Sequence, residues 1–230
     1  MEETIERGAE PATRRRKRSD RLERHTVEIE RQGVPIVVSA PSGGGKTTLC
    51  QRVIDRLKGV EFSVSHTTRP SRPGEVHGTD YFFVDNAEFD GLVEKGAFLE
   101  WAHVHGRRYG TSRKAAQELL ASGTDVLFDI DVQGGKQIQA QLPNAVLAFI
   151  VPPSMEVLAS RLRRRHSDSD EEIGRRLAVA AEEIRQASFY THWIVNDDLE
   201  RAVLDLESIV RAERLRNVNR AALMRKIFNT

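Results

Sequence analysis

Ten residues constrain this chain more than any others: Ser39-Ala40-Pro41-Ser42-Gly43-Gly44-Gly45-Lys46-Thr47-Thr48. An apolar run, Val34 to Val38, precedes them, and Leu49, Val53, Ile54 and Leu57 follow at helical spacing. Strand, glycine-rich turn, Lys-Thr and helix is the layout of a phosphate-binding loop. Glycines let successive backbone N–H groups turn inward around an anion, and the helix N-terminus adds partial positive charge. Lys46 then reaches the β- and γ-phosphates, and the Thr47 hydroxyl faces a magnesium ion. The strict pattern opens on Gly where this chain has Ala40. Pro41 biases residue 40 toward extended backbone, where Ala is allowed.

At 230 residues and 39% hydrophobic, the chain suits one domain with small insertions. No apolar run approaches the roughly 18 residues of a membrane span. The formal net charge is only +1, but it is unevenly spread. Residues 1–31 hold nine basic and eight acidic side chains, and residues 211–230 hold six and one, which leaves 20 and 25 between them, net −5. A mildly acidic body argues against a nucleic-acid platform. The single cysteine, Cys50, excludes an internal disulfide and reads as a small buried side chain. With no apolar signal core at the N-terminus, a reducing, cytoplasmic setting is expected.

Residues 1–31, with Arg14-Arg15-Arg16-Lys17-Arg18, are almost wholly polar and predict a disordered extension. Glu61 to His66 alternates as a half-exposed strand does. Ser65 to Tyr81 is punctuated by Pro and Gly, and it sets Arg69 and Arg72 among hydroxyls. Arginine forks suit phosphate, so a second anion site is one reading and surface arginines the other. Asp85 to Gly96 predicts a capped helix, Phe98 to Val104 a strand, and Gly106 to Thr111 a turn. Residues 65–111 thus form a small mixed insertion. A helix over 112–122 leads to the apolar strand Val126 to Asp131, which ends in Asp129 and Asp131. Acids at the carboxyl end of a parallel strand suit magnesium, while one of them can instead cap the next helix. Val146 to Val151 is a further strand. A Ser154-capped helix, the arginines Arg161 to Arg165, a polar link and a helix through Ile184 read as a lid over triphosphate. Trp193 to Val195 is the last strand. Asp197 and Glu200 form the capping box of the helix that follows, and the basic segment 211–230 continues as helix or tail, with self-association left open. The pattern predicts an α/β protein: a three-layer phosphate-loop fold with a central parallel sheet.

These blocks, in this order, resemble the bacterial guanylate kinases over residues 34 to about 210. The resemblance is carried by Ser39–Thr48, Ser65–Tyr81, Phe98-Leu99-Glu100-Trp101, Tyr109-Gly110-Thr111, Asp129-Ile130-Asp131, Arg161 to Arg176, and Val195-Asn196-Asp197-Asp198. It implies magnesium-dependent transfer of the ATP γ-phosphoryl group to GMP. It divides the chain into a core (32–64, 112–160 and 187–210), a GMP-binding insertion (65–111) and a lid (161–186). It further implies that Ala40, Pro41, Ser42, Gly43, Gly44, Gly45, Lys46, Thr47, Thr48 and Asn196 bind ATP. Arg69, Arg72, Tyr81 and Tyr109 would hold the GMP phosphate, and Ser65, Glu100 and Thr111 would read guanine, with Asp131 on the same side. Lys46, Arg69, Arg161, Arg165 and Arg176 would act in transfer, and Thr47 and Asp129 would hold the metal. Two anionic substrates explain two arginine sets flanking Lys46, because phosphoryl transfer is mostly positioning and charge stabilisation. A ribose-bisphosphate kinase would not need Glu100 and its partners. A binding module of this shape would have no use for Lys46 and Thr47.

Overall fold

In a computed structural model of the protein, residues 31–104, 106–164, 169–216 and 220–228 are described. The charged extension read over 1–31 lies outside them except for Arg31, as does Arg165.

The apolar run before the glycine loop is β1, Pro35–Ser39, and all five residues are buried. Its alternate side chains serve opposite faces. Val34, Ile36 and Val38 pack on Leu49, Cys50 and Val53 of α1 (Lys46–Arg56) and on α7 (Leu199–Arg216). Val37 packs the other way, with Ala116 of α3 (Arg113–Ala121) and Ile138 of α4 (Val132–Gln141). A strand apolar on both faces belongs in the middle of a covered parallel sheet. β1 lies there, between β7 (Asp125–Asp129) and β8 (Val146–Val151), with β2 (Val60–Phe62) and β9 (His192–Val195) at the edges; every pairing is parallel.

This order creates the site. The chain leaves β1 through α1 on one face and β7 through α4 on the other. Their adjacent carboxyl ends therefore open onto a crevice, the switch point where ligands bind in such sheets.

A second, four-stranded sheet stands beyond it in the order β4-β3-β6-β5: Phe82–Phe83, Ser65–Thr67, Arg107–Ser112 and Phe98–Val104. Helix α2, Asn86–Glu94, covers it through Phe89; Asp85 caps α2 by accepting from the Glu88 N–H. Two sequence expectations change here. The single strand expected over 61–66 is two, because β2 pairs with β7 in the large sheet while β3 pairs with β6 in the small one. Gly106 to Thr111, expected as a turn, is mostly strand β6; only Gly106, at φ 73°, turns.

Helices α5 (Met155–Arg163) and α6 (Asp170–Gln186) join through a small core of Leu158, Leu162, Ile173 and Ala180. The 3₁₀ turn Ala187–Phe189 then leads to β9. The cap of α7 is Asp198, which accepts from the Arg201 N–H at 2.9 Å, and not Asp197, which pairs with Arg201 instead. The basic end is helical, as α7 and α8 (Arg220–Phe228). The fully buried Asp125 carboxylate ties both ends of the domain together. It accepts from Val34 N–H at 2.9 Å and Arg214 Nε at 2.6 Å, and forms a bidentate pair with Arg31.

Candidate active site

The glycine loop runs from the end of β1 into α1. Gly43 and Gly45 have φ near 90°, a conformation that side-chain-bearing residues rarely adopt. A Cβ on Gly45 would also come within 2.6 Å of Asn196 Nδ2. Three side chains from outside the loop engage it, and a fourth, Arg161, holds one of the three. Asn196 is buried and donates to Gly44 O at 2.8 Å, while its own backbone carbonyl accepts from Arg161 at 2.7 Å. Arg176 donates to Ser42 Oγ at 2.6 Å. Glu183 of α6 lies beside the Ser42 backbone N–H, which favours its charged form, while burial disfavours it. Asn196, Arg161 and Arg176 were named from sequence; the structure brings Asn196 and Arg176 to the loop's own atoms and Arg161 to the Asn196 backbone.

The Lys-Thr pair meets β7 directly. Lys46 Nζ lies 2.7 Å from Asp129 Oδ1 and donates to Ile130 O at 2.8 Å. Thr47 Oγ1 donates to Asp129 Oδ2 at 2.9 Å. The two acids divide their roles: Asp129 faces Lys46 and Thr47, whereas Asp131 caps α4 by accepting from Gly134 N–H at 2.8 Å. Thr48 lies on the first turn of α1. Tyr190 OH donates to Ser39 Oγ at 2.6 Å, and Ser39 donates to Ile130 O at 2.8 Å, pinning β1 to the end of β7.

Across the crevice, strand register gathers the second set. Ser65 is opposite Thr111, and Thr111 is opposite Glu100. Thr111 Oγ1 donates to Glu100 Oε1 at 2.5 Å, and both side chains are buried. Burial pushes the Glu100 carboxyl up to about 7, against the Thr111 hydrogen bond, which pulls it down. Gly134 makes room for it, since a Cβ there would come within 2.9 Å of Glu100 Oε2. The Gln137 amide accepts from Trp101 N–H and donates to Trp101 O, at 3.2 and 3.0 Å, anchoring β5 on α4. Burial likewise raises the Tyr81 hydroxyl. Tyr81 and Tyr109 meet edge to face, 6.0 Å between ring centres. One cavity of about 580 Å³ joins the halves, lined by Lys46, Thr47 and Asp129 at one end and Ser65, Glu100 and Tyr109 at the other.

Sequence reasoning missed Glu75. It grips both Arg69 terminal nitrogens, at 2.8 and 2.9 Å, and takes the Arg72 N–H at 2.7 Å. That bidentate bond is the main reason Arg69 holds its charge more firmly than usual, and the Arg69 guanidinium sits 5.3 Å from the Tyr81 ring centre. Neither the Arg69 nor the Arg72 side chain lines the cavity; of the four residues expected at the GMP phosphate, Tyr81 and Tyr109 do. No spacing rule links an arginine to an acid six residues on in an irregular loop. Arg108, given no role from sequence, bonds Asp90 and Asn86 of α2 and is structural.

A parallel sheet with this loop at its switch point, an arginine-bearing helical pair and an opposed hydroxyl–carboxylate pocket define a phosphate-loop kinase of small phosphorylated substrates. Residues 32–213 match the family described as Guanylate kinase. The guanylate kinase of Geobacter sulfurreducens is 48% identical over 87% of this chain and 99% of its own length. That of Escherichia coli O157:H7 is 50% identical over 80% and 90%. The crystal structure of guanylate kinase from Anaplasma phagocytophilum superposes with a TM-score of 0.67 at 36% identity, over 81% of this chain and 89% of that one. The chain belongs to the guanylate kinase family.

Proposed function

We infer that the protein transfers the γ-phosphoryl group of ATP to GMP, giving ADP and GDP. The observation that carries the substrate assignment is the buried Glu100 carboxylate, paired with Thr111 across from Lys46. Guanine presents N1–H and the exocyclic amine side by side. An ionised carboxylate offers two acceptors at that spacing, and charge roughly doubles the strength of such bonds. Ser65 and Thr111 complete the base contacts. Adenine carries a lone pair at N1 and no amine at position 2, so it would leave a buried charge unmatched.

On this reading the GMP phosphate lies among Arg69, Arg72, Tyr81 and Tyr109, with Glu75 holding Arg69 in place. The amides of the loop from Ala40 to Thr48 cradle the ATP phosphates, and Lys46 compensates charge as it moves to the bridging oxygen. Asn196 serves ATP by shaping the loop at Gly44. Thr47 and Asp129 hold Mg²⁺: a hydroxyl and a carboxylate are hard oxygen donors, and phosphates and water supply the rest. Among the described residues no group of three or more His, Cys, Asp or Glu is placed to hold a metal ion by itself. Bound there, the ion would neutralise phosphate charge. Arg161 and Arg176 act on the transferring group from the lid and exclude water, and the resemblance assigns Arg165 to the same task. No side-chain nucleophile is required. No helix among the described residues is long and apolar enough to cross a membrane, and we place the enzyme in the cytoplasm.

A coupled assay of ADP release tests the assignment. Turnover should require GMP and be at least about 10³-fold weaker in kcat/KM with AMP. Equal rates with AMP, or turnover with a ribose phosphate instead, would overturn it.

A further inference from the structure

Glu183 belongs to none of the roles above, yet it is placed where α6 meets the phosphate loop. The Glu183 carboxylate lies beside the Ser42 N–H, which favours its charged form, and its Oε2 is buried with no hydrogen-bond partner among the described residues. Arg176 lies seven residues earlier on α6, two turns back on the same face, and bonds the hydroxyl of the same Ser42. The helix therefore meets one loop residue twice, Arg176 bonding its hydroxyl and Glu183 lying beside its amide.

The two contacts differ in kind. The Glu183 end of α6 is anchored: Ile184 packs on the main core, Ala187 is fully buried, and the 3₁₀ turn follows. The earlier half, from Ile173 through Ala180, packs only within the small core it shares with α5. Its buried neighbours there are Leu158 and Leu162, which a Cβ on Gly43 would touch at 3.1 and 3.0 Å. The Glu183–Ser42 contact therefore lies at the end of α6 that the main core holds. An acid beside a triphosphate site is electrostatically unfavourable, and burial with Asp131 nearby adds to the cost. Retaining it there calls for a compensating task.

We propose that Glu183 is a positioning residue for phosphoryl transfer: it is the fulcrum that keeps α6 in register on the loop at Ser42, so that Arg176 swings from the Ser42 hydroxyl onto the transferring phosphoryl group. The proposal rests on the reading that Arg176 acts on phosphate. Glu183 itself touches no substrate. Without it, α6 slides or rotates on the loop and Arg176 arrives displaced, an error of about 1 Å being worth up to about 10²-fold in rate.

The test uses the full chain and five variants: E183A, E183M, E183Q, R176A and E183A/R176A. E183M keeps bulk, removes the acceptor and relieves the buried unpartnered oxygen, so it serves as the deletion should E183A not fold. E183Q retains an oxygen for the Ser42 N–H. Deletion should lower kcat about 10–100-fold and leave the Kd for GMP within about twofold, and E183Q should recover kcat to within about threefold of wild type. The decisive readout is the cycle: in the R176A background the loss of Glu183 should cost less than about twofold, because the residue acts through Arg176. Normal kcat in E183M, an E183Q as slow as the deletion, or additive losses in the double variant would each overturn the proposal while leaving Arg176 in its role. Normal kcat in R176A would instead overturn the reading beneath it, and the proposal with it.

Discussion

Glu100 should make GMP recognition depend on pH, and E100Q should abolish that dependence. The carboxyl is 4% exposed, and burial raises it to about 7. Only the ionised form offers both oxygens to guanine's two donors, so GMP binding must first remove the proton from whatever fraction of enzyme carries it. Apparent GMP affinity then falls with a factor 1 + 10^(pKa − pH), about 1.1 at pH 8, about 2 at pH 7 and about 11 at pH 6. KM for GMP should rise about tenfold from pH 8 to pH 6 on this account alone. The phosphate of GMP also titrates near pH 6, but that contribution is common to wild type and mutant. The quantity to plot is therefore the ratio of their KM values. E100Q keeps one acceptor and turns the other into a donor aimed at a donor, at a cost of about 1–3 kcal/mol, or roughly 10–100-fold in KM at pH 8. The penalty should shrink about tenfold by pH 6, as wild type loses its advantage.

Stability should run the opposite way. The folded pKa lies above the unfolded value, so the folded state holds the proton more tightly. That contribution is fully present below about pH 4.5 and is lost as pH rises through about 7; over about 2.5 units it amounts to about 3 kcal/mol. E100Q, free of this loss, should therefore gain in Tm relative to the empty wild-type enzyme between pH 6 and pH 8. Parallel KM profiles for the two proteins would refute the argument, because they would show Glu100 either ionised throughout or absent from the guanine site.

Four other outcomes follow from the same geometry. K46A should lose at least about 10²-fold in kcat with an unchanged far-UV spectrum, since among the described residues Lys46 bonds Ile130 O and Asp129 rather than the core; near-normal turnover would remove it from the reaction. E75Q should raise KM for GMP about tenfold with a smaller change in kcat, by loosening the bidentate hold on Arg69, as read from initial rates at saturating ATP. D125A should destabilise the fold by about 3–5 kcal/mol in urea melts, leaving Arg31 and Arg214 without their shared buried partner, while kcat per folded molecule stays the same. Removing residues 1–30 should leave kcat within about twofold, because that stretch lacks the apolar residues to join a core; removing Arg31 as well should lower Tm.

The phosphate loop and the buried central strand were legible because each rests on a local rule, whereas Ser65, Glu100 and Thr111 were named only through the family resemblance. Glycines before Lys-Thr announce a loop that needs positive φ, and Gly43 and Gly45 have it. Val34 to Val38 announces a doubly covered strand, and both faces of β1 are packed. What escaped is whatever depends on pairing at long range. Arg107 to Ser112 looks like a turn because Gly106 and Gly110 punctuate it and no run of apolar residues alternates through it. It becomes a strand because β3 and β5 flank it and Phe98 packs over Gly110, where a Cβ would come within 3.0 Å of the ring. Asp125 looks like an ordinary polar residue at a strand edge, yet its partners lie 94 residues before it and 89 after it. Glu75 and Glu183 are acids in strongly basic neighbourhoods, where sequence logic looks only for anion-binding arginines. A site for two polyanions must hold its cations apart and oriented before substrate arrives, and an acid from the protein does this best. Arginines announce such a site in a sequence, but the acids that orient them become visible only once the chain is folded.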